Sequence, residues 1–467
     1  MIKRALSIVL AVMASAGPGL TAQESLTFEQ AVNRVRARNE AIKAAHAQVS
    51  EADAERKAAR GLRYPEVGVV FRHYFLDDPI VIGLDVAFLS LDFPVQRDEF
   101  WEGQLQFQWP LYTGGRINAA NEAAAGQQAE VQADLRQTEH GLITELAERY
   151  YGVVLASRAK EVQALKVQVM EAHEKRARRL FDEGIIARIE YLNVQVAVSE
   201  ARVALEEAQR QVAIVGEALA NTVAAAEPPT PVSRLFLLPE IAPLDTFRGM
   251  VNASHPVLAK LDAKGDQAEQ GVRAAKGELK PTVYAFGQRE LVPGHLTMLD
   301  PEWAAGVGVE YKLFQGGRRS AKVSAAKAVT ERVGHLREKY ARDLETLVVK
   351  RYQELHQARE RYRGLEKTLE LTDENLRVRT RAFEEGVATS VEVVDATLSH
   401  ARAQLGRFKA AFDYDVAFFQ LLEASGRSAA WKAHLAHAEP IPEHANDMAP
   451  DAAPDAVPAQ AVFPTME

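Results

Sequence analysis

The sequence predicts a mixed fold, with four strands of a membrane β-barrel per chain joined to the long helices of an α-helical barrel. Three observations predict it. The stretch WPLYTGGR at Trp109–Arg116 returns as YKLFQGGR at Tyr311–Arg318, 202 positions later. Leu180–Asn193 and Ala382–Asp395 match at the same offset, so we interpret the chain as a tandem duplication. In each half, alternating apolar stretches of strand length precede a Gly pair and an unusually long helical pattern.

The composition excludes several classes of protein and site. The chain has 467 residues, a net charge of -8 and no basic run, which argues against binding nucleic acid. It has no cysteine, which excludes disulfides, thiolate metal sites and a lipid anchor on an N-terminal cysteine. Three histidines near the C-terminus lie in a segment without fixed geometry, so we expect neither a metal site nor a cofactor.

The predicted organisation has five segments. They are a signal peptide over 1–22, a first repeat over 23–226, a linker over 227–243, a second repeat over 244–426 and a disordered tail over 427–467. Three prolines close the first repeat, and the chain beyond Gly426 is rich in Ala, Pro, His and acidic residues, a composition that cannot bury enough apolar surface to fold.

The N-terminus has the layout of a secretory signal. Lys3 and Arg4 precede about a dozen apolar residues, and small residues follow. Cleavage after Ala16 and cleavage after Ala22 both fit this pattern. No later stretch approaches the roughly 20 apolar residues that a membrane helix requires. We therefore expect an exported protein without a spanning helix.

The first repeat begins with a helix and two strands. Apolar residues at helical spacing predict a helix over Leu26–Leu62. Alternation of apolar and polar residues predicts strands over Val67–Phe75 and Trp101–Tyr112. The segment Leu76–Asp98 contains two prolines and is predicted to be a loop, although residues 80–91 are unusually apolar and their role is left open.

A helical hairpin follows in each repeat. Ile117–Asp182 runs for 66 residues without proline, which at about 1.5 Å per residue predicts a helix roughly 100 Å long. Gly184 breaks the pattern and Glu190–Ala226 returns antiparallel to it. The second repeat has the corresponding predicted elements: a helix over Leu244–Leu279 interrupted near His255, strands over Thr282–Leu291 and Trp303–Leu313, and helices over Arg318–Glu385 and Thr389–Ser425.

The two faces of the predicted strands differ in polarity. The apolar face of the second strand carries three aromatic residues, Trp101, Phe107 and Trp109. Its polar face carries three amides, Gln104, Gln106 and Gln108. Ten residues is the length that a tilted membrane strand requires, so we expect the aromatic face to contact lipid and the amide face to contact water.

Four strands cannot close a barrel. An open edge in lipid would leave backbone groups without hydrogen bonds, at several kcal/mol for each group. The chain is therefore predicted to oligomerise, and three copies would give a barrel of 12 strands, an even number in the range that such barrels adopt.

The Gly pairs between strand and helix are interpreted as turns. They are Gly114 and Gly115 in the first repeat, and Gly316 and Gly317 in the second. Because glycine adopts backbone conformations that other residues avoid, we expect these four residues to shape the bend and to contact no ligand.

From about Leu26 to Gly426 the sequence resembles the TolC family of outer-membrane efflux and secretion channels. The resemblance depends on the strand-GGR-helix junctions, the two strands per half and the two hairpin tips. It implies a homotrimer with a barrel in the outer-membrane lipid and a helical tunnel across the periplasm. It also implies that the tips contact a periplasmic adaptor protein, which couples the duct to an inner-membrane pump of an efflux or type I secretion system.

The resemblance also places candidate sites at the two tips. Four tip residues are expected to contact the adaptor: Gly184, Ile185, Gly386 and Val387. Carboxylates that narrow the periplasmic entrance are expected at Glu392 and Asp395 and, on the first tip, at Glu190; the alternative for all three is a solvated helix face. Phe383 and Ala388 occupy the positions where the best-known member has a latching Tyr and Arg. Arg188, which could pair with Glu392 of a neighbouring hairpin, is the nearest substitute for that latch.

Three classes of function are compatible with the sequence to different degrees. A transport duct accounts for both strands and helices. A structural periplasmic coiled-coil scaffold accounts for the helices but gives no reason for strands with one wet and one apolar face. An enzyme is not expected, because the chain has no phosphate-binding loop, nucleophile elbow or HExxH motif. The cargo is left open among drugs, metal ions and polypeptides.

Overall fold

A computed structural model describes residues 24–86, 89–295 and 300–442. The predicted signal peptide over 1–22 lies outside the described residues, and so does the part of the predicted tail from 443 onward. Helices dominate the described chain, and strands form one larger sheet and several short pairs.

The elements of the first half follow in chain order. They are β1 Ser25–Leu26, α1 Phe28–Arg38, α2 Glu40–Gly61, β2 Glu66–Phe75, β3 Ile80–Val86, β4 Leu89–Gln96, β5 Glu99–Tyr112, α3 Arg116–Asp182, α4 Arg188–Thr222, β6 Thr230–Pro231 and β7 Phe236–Leu237. The predicted helix over Leu26–Leu62 is two helices, because Asn39 leaves the helical conformation and caps α2 by accepting a hydrogen bond from the Ala41 amide at 2.9 Å.

The elements of the second half follow the same succession of helices and strands. They are α5 Leu244–Ser254, α6 Pro256–Gly277, β8 Thr282–Glu290, β9 Trp303–Glu310, α7 Arg318–Glu384, α8 Ser390–Ala424, α9 Trp431–Leu435 and β10 Glu439–Pro440. The long helices α3 and α7 have 67 residues each, and the returning helices α4 and α8 have 35 each. No helix in the described ranges is both long enough and apolar enough to cross a membrane.

The larger sheet contains four antiparallel strands in the order β2-β5-β8-β9. Strand β5 of the first half therefore pairs with β8 of the second, and β2 and β9 are the edges. Trp101 and Trp109 are exposed, and Phe107 shares their face through the alternation of the strand. On the other face, the Gln104 and Gln106 side chains hydrogen-bond to each other at 3.1 Å.

The prediction of a loop over Leu76–Asp98 is wrong. Strands β3 and β4 pair antiparallel within this segment and continue the hairpin that β2 and β5 begin. Pro94 is tolerated because β3 and β4 form a two-stranded ribbon, in which each strand has an edge that needs no amide donor. The alternating apolar residues were therefore a better predictor of the structure of this segment than the two prolines, which favoured a loop.

The principal core lies where α1, α3 and α8 meet the short strands. Phe28 packs against the Tyr151 and Phe419 rings, with centroid distances of 5.4 and 5.0 Å. The buried Tyr150 hydroxyl donates to the Leu26 carbonyl at 2.6 Å and accepts hydrogen bonds from the Val232 and Ser233 amides. Tyr150 thereby fastens the N-terminal strand β1 and its partner β6 to α3.

The structure also corrects the predicted linker and tail. Within 227–243, strands β6 and β7 form and Leu235, Phe236 and Leu238 are buried. Within 427–442, Trp431 packs against Phe28 with ring centroids 5.1 Å apart, and the Ile441 amide donates to the Leu235 carbonyl at 2.8 Å. The tail prediction is therefore wrong for 427–442, because a few large apolar residues outweigh a disorder-prone average composition.

Candidate functional site

The two hairpin tips have the same backbone design. Gly184 and Gly386 follow the ends of α3 and α7 in the left-handed conformation, with φ of 74° and 76°. The next amide in each tip, Ile185 or Val387, donates back to the carbonyl five residues earlier at 2.8 and 2.9 Å. This is the way in which a glycine after a helix C-terminus satisfies the last carbonyl groups. Both apolar tip residues are exposed, Ile185 at 58% and Val387 at 77%, so they are available to a partner.

A small separate core holds the two tips together. Its buried members come from all four long helices and are Val167, Met170, Ala177, Val194, Ala197, Val198, Ala201, Phe383 and Val393. The Arg176 guanidinium on α3 also pairs with the Glu384 carboxylate on α7 at 3.0 Å. Phe383 is therefore a buried packing residue of the contact between the hairpins.

Glu190 of the first tip contacts Ser390 of the second. Its carboxylate accepts a hydrogen bond from the Ser390 amide at 2.9 Å and lies within hydrogen-bond distance of the Ser390 hydroxyl. The same hydroxyl is 3.0 Å from the Glu190 backbone carbonyl, and Ser390 is fully buried. Since Ser390 is the first residue of α8, Glu190 places its negative charge on unpaired amides at a helix N-terminus, where charge is favourable.

Glu392 caps the helix to which it belongs. The Thr389 hydroxyl accepts from the Glu392 amide at 3.4 Å, and the Glu392 carboxylate accepts from the Thr389 amide at 3.2 Å. The carboxylate also pairs with the Arg379 guanidinium at 3.2 Å. The sequence pattern Thr389-x-x-Glu392 is that of a capping box and could have revealed the first role. No sequence signal indicated Arg379.

Asp395 and Arg188, the other two predicted gate residues, are exposed and free of ion pairs within the described part of the chain. Asp395 lies three residues after Glu392, so both carboxylates lie on neighbouring positions of one face of α8. The structure thus brings Glu190 to the second tip and pairs Glu392 with Arg379 rather than with Arg188. A contact of Arg188 with another copy of the chain stays a prediction.

His173 is a buried histidine at the same contact, which the sequence reasoning missed. It is 1% exposed and packs edge-on against the Phe383 ring, with ring centroids 4.6 Å apart. Neither ring nitrogen has a hydrogen-bond partner among the described residues, although the Ser390 backbone lies nearby. The pKa of His173 is lowered to about 4, mainly by burial. The positive charge of Arg176 also lowers this pKa, whereas the negative charge of Glu190 raises it.

The four turn glycines have positive φ angles, as the bend requires. They are 68° at Gly114, 90° at Gly115, 57° at Gly316 and 78° at Gly317. Gly114 differs from the others because a Cβ atom there would lie 2.4 Å from the Gly277 carbonyl oxygen, whereas at the other three positions it would meet nothing within 4 Å. Gly114 therefore lies against the backbone at the end of α6, whereas the two glycines of the second turn have open space around their Cα atoms.

Comparisons with known proteins agree with this architecture. The sequence model of the family described as "Outer membrane efflux protein" matches residues 31–225 and 249–427. The chain is 27% identical to the outer membrane efflux protein BepC of Brucella suis over 357 residues, covering 73% of this chain and 75% of that protein.

Solved structures with the same fold are more distant in sequence. The outer membrane protein VceC of Vibrio cholerae has a TM-score of 0.71 at 16% identity, covering 85% of this chain and 96% of that one. The open state of the MtrE outer membrane channel of Neisseria gonorrhoeae has a TM-score of 0.67 at 16% identity, covering 86% and 89%. Since the family match spans most of both halves, the chain belongs to the outer membrane efflux protein family and is an outer-membrane efflux channel.

Proposed function

We propose that the protein acts as a homotrimer in which three sheets close one barrel of 12 strands and the helices form one tunnel below it. In this assembly the tips contact a periplasmic adaptor, the adaptor couples the duct to an inner-membrane pump, and the channel catalyses no reaction. The observation that supports the proposal best is the sheet, which has two free edges, β2 and β9, beside an exposed apolar face.

The two edges suit each other in a closed ring. Exposed apolar residues lie along both edge strands, among them Val67 and Phe71 on β2 and Val307 and Val309 on β9. An edge in lipid requires a partner strand, and β2 of one copy can supply it to β9 of the next. Such a head-to-tail contact uses two different surfaces, so it closes a ring of identical subunits instead of a symmetric dimer.

The long helices have matching unpaired surfaces. On α4, Ile189, Val196 and Val203 recur at intervals of seven and are 60%, 58% and 55% exposed. On α7, Leu371 and Val378 recur at the same interval and are 64% and 50% exposed. A heptad of apolar residues forms a coiled-coil seam when another helix covers it. We infer that α4 of one copy packs against α7 of its neighbour.

Reconstitution in planar bilayers tests this proposal. The mature chain should form a heat-sensitive trimer in detergent and should give discrete conductance steps in a bilayer. A periplasmic scaffold, the alternative function, would remain soluble without membranes and would conduct no ions. Light scattering that gave a stable soluble monomer would contradict the trimer and, with it, the proposed barrel.

The two faces of β5 should react differently with a thiol reagent in membranes. Because the chain has no cysteine, single Cys substitutions give an unambiguous label. We expect Gln106→Cys and Gln108→Cys to react with a membrane-impermeant maleimide, and Phe107→Cys and Trp109→Cys to be protected by lipid. Equal labelling of both faces in intact vesicles would refute the assignment of the amide face to water.

The acidic face of α8 should bind cations at the tunnel entrance. In a trimer Glu392 and Asp395 place six carboxylates around one aperture. Their combined negative charge attracts multivalent cations. We expect the double substitution Glu392→Gln and Asp395→Asn to weaken current block by hexaamminecobalt. Gln preserves the capping box, so the helix start is retained. Removal of Glu206 and Glu207 on α4 provides a control, and equal loss of block in both double variants would contradict the gate.

Acid should weaken the contact between the tips through His173. Its pKa is about 4 in the packed tips and would be near 6.5 once exposed, so the separated tips bind the proton first. The packed state is unaffected above pH 6.5 and loses stability as the pH falls from 6.5 towards 4, by about 2 kcal/mol at pH 5. We therefore expect single-channel conductance to rise between pH 7 and pH 5.

A substitution isolates this histidine from other acidic groups. His173→Phe keeps a ring against Phe383 but cannot be protonated, so the rise in conductance at low pH should shrink. His335→Gln, on an exposed part of α7, serves as the control and should respond to pH like the parent. If the His173→Phe channel and the parent have the same conductance at each pH, His173 does not control the tips.

A further inference from the structure

A cationic cavity lies where the sheet meets the helices, far along the chain from the tips. It has a volume of about 230 Å³ and lies between the start of α3, the end of α6 and the start of α7. Six cationic side chains line it: Arg116, Lys280, Lys312, Arg318, Arg319 and Lys322. Two carboxylates, Glu278 and Glu310, also line it. The lining thus carries four more positive than negative charges, although the chain as a whole has a net charge of -8.

The strand register shows on which side of the sheet the cavity opens. Thr282 and Glu310 line the cavity and are cross-strand partners. Thr282 lies four residues from Phe286, which is paired with Gln108. Because side chains alternate along a strand and paired residues share a face, Thr282 and Glu310 lie on the face of Gln108. The cavity therefore continues the amide face of the sheet, opposite the tryptophans.

The positive charges are not explained by helix stability. Arg116 and Arg318 are the first residues of α3 and α7, and both helices have a glycine at the N-cap, no side-chain cap and no acidic residue in the first turn. Cations at a helix N-terminus are unfavourable, because the partial charge there is already positive. The tip helix α8 has the usual arrangement, with Glu392 in its first turn.

Only part of the positive charge is neutralised within the chain. Lys322 pairs with Glu278 at 2.7 Å and Lys312 pairs with Glu310 at 3.2 Å. The hydrogen bond from Lys322 lowers the pKa of Glu278, and the nearby Arg116 and Arg318 lower it further. Among the described residues, no carboxylate lies within ion-pair distance of the other four cations, Arg116, Lys280, Arg318 and Arg319. Several cations without a carboxylate partner around one cavity are a feature that binds oxyanions.

We propose that this cavity is an oxyanion-binding station inside the duct, which takes phosphate or carboxylate groups of anionic cargo as they pass from the tunnel into the barrel. The inference rests on the proposed trimeric pore, in which three cavities would form a cationic ring at one level of the lumen. The helical tunnel then has opposite charges at its two ends, with carboxylates at the tips and cations at the junction with the barrel. Anionic compounds are the cargo class that such a ring concentrates.

Binding of inorganic pyrophosphate tests the cavity without requiring a pore. Calorimetry with the full mature protein in a neutral detergent should detect pyrophosphate binding to the parent. Binding should weaken at least tenfold in the double variant Lys280→Gln with Arg318→Gln, which removes two charge-assisted contacts. The control is Arg289→Gln, since Arg289 pairs with Trp303 and Leu105 on the opposite face of the sheet. Equal affinity in all three proteins would overturn the proposal.

Currents in a bilayer of zwitterionic phosphatidylcholine distinguish a lumenal site from a lipid site. In a tenfold KCl gradient, the double variant should shift the reversal potential towards cation selectivity, and pyrophosphate should block it less than the parent. If binding is lost but selectivity and block are unchanged, the cavity faces lipid headgroups and the lumenal assignment is wrong. If the parent binds pyrophosphate but conducts no ions, the proposed pore is wrong, and so is the proposed role of the cavity in the duct.

Discussion

Replacing Gly114 with alanine should sharply reduce the yield of folded trimer, whereas replacing Gly316, its counterpart in the second half, should have a much smaller effect. Both residues occupy the same place in the strand-to-helix turn, and both have positive φ angles, 68° and 57°. An alanine at either position costs about 1–2 kcal/mol in backbone strain. Sequence reasoning gives no ground for distinguishing the two positions.

The difference comes from what surrounds the two turns. The Cβ atom of an alanine at 114 would lie 2.4 Å from the Gly277 carbonyl oxygen and 3.0 Å from the Lys280 Cβ. The nearer obstacle is backbone at the end of α6, which cannot move aside without shifting the helix. Overpacking of this kind adds about 1–3 kcal/mol or more to the strain. At Gly316 the new methyl group meets nothing within 4 Å.

The measurement is the fraction of heat-sensitive trimer in outer-membrane extracts and its dissociation temperature. Gly316→Ala should lower the dissociation temperature modestly, and Gly114→Ala should lower it further or eliminate the trimer. Gly115→Ala provides a second control, since its φ of 90° brings strain without a close neighbour. A similar loss of trimer in all three variants would show that backbone strain alone causes the loss and that the contact with α6 contributes nothing.

Much of the fold could be predicted because its elements have strong periodicity. The helix predicted over Ile117–Asp182 is Arg116–Asp182, and the helix predicted over Thr389–Ser425 is Ser390–Ala424. The alternation of polar and apolar residues predicted the strands of the larger sheet equally well. The β3–β4 hairpin was missed because proline was given more weight than apolar alternation. The segment 427–442 was missed because its few apolar residues pack only against distant elements, which a local composition cannot reveal.

The candidate site was less predictable than the fold. Glu392 and Glu190 could be picked out by resemblance, but their contacts depend on how two hairpins 200 residues apart lie together. Arg379 reaches Glu392 from the opposite arm of its hairpin, and Ser390 meets Glu190 from the other half of the chain. His173 has no sequence signal, because an isolated histidine on a long helix is usually a solvated residue. Such contacts follow from tertiary packing and not from periodicity.

Replacing Glu190 with alanine should raise single-channel conductance strongly, because Glu190 of the first tip hydrogen-bonds directly to the buried Ser390 of the second. The substitution leaves the buried Ser390 amide without its acceptor, while the Ser390 hydroxyl keeps only the backbone carbonyl of residue 190. An unsatisfied buried group costs about 1–3 kcal/mol, so each chain should shift by about fivefold to about a hundredfold towards separated tips. Three copies in one ring act on a single aperture, which multiplies the effect on the current.

Controls separate this link from the other charges at the tips. Glu207→Ala, on an exposed part of α4, should leave conductance unchanged. Ser390→Ala should raise conductance less than Glu190→Ala, because the Ser390 amide keeps its acceptor. The double variant should raise conductance by less than the sum of the two single effects, since both substitutions remove the bond between the Glu190 carboxylate and the Ser390 hydroxyl. Additive increases would mean that the two residues act independently and that their hydrogen bonds do not restrain the tips.

Parallel measurements on Arg188→Ala and Arg379→Ala identify the cation that offsets the carboxylate ring. Arg379 pairs with Glu392 within one chain at 3.2 Å, whereas a contact of Arg188 requires a neighbouring copy. The pair is partly exposed, so it contributes only about 0–1 kcal/mol per copy, and its effect should disappear at high salt. The Glu190 effect should persist at high salt, because the groups that it bonds are buried. If high salt cancels the Glu190→Ala increase, the tips are held by surface charge instead of by the buried Glu190–Ser390 contact.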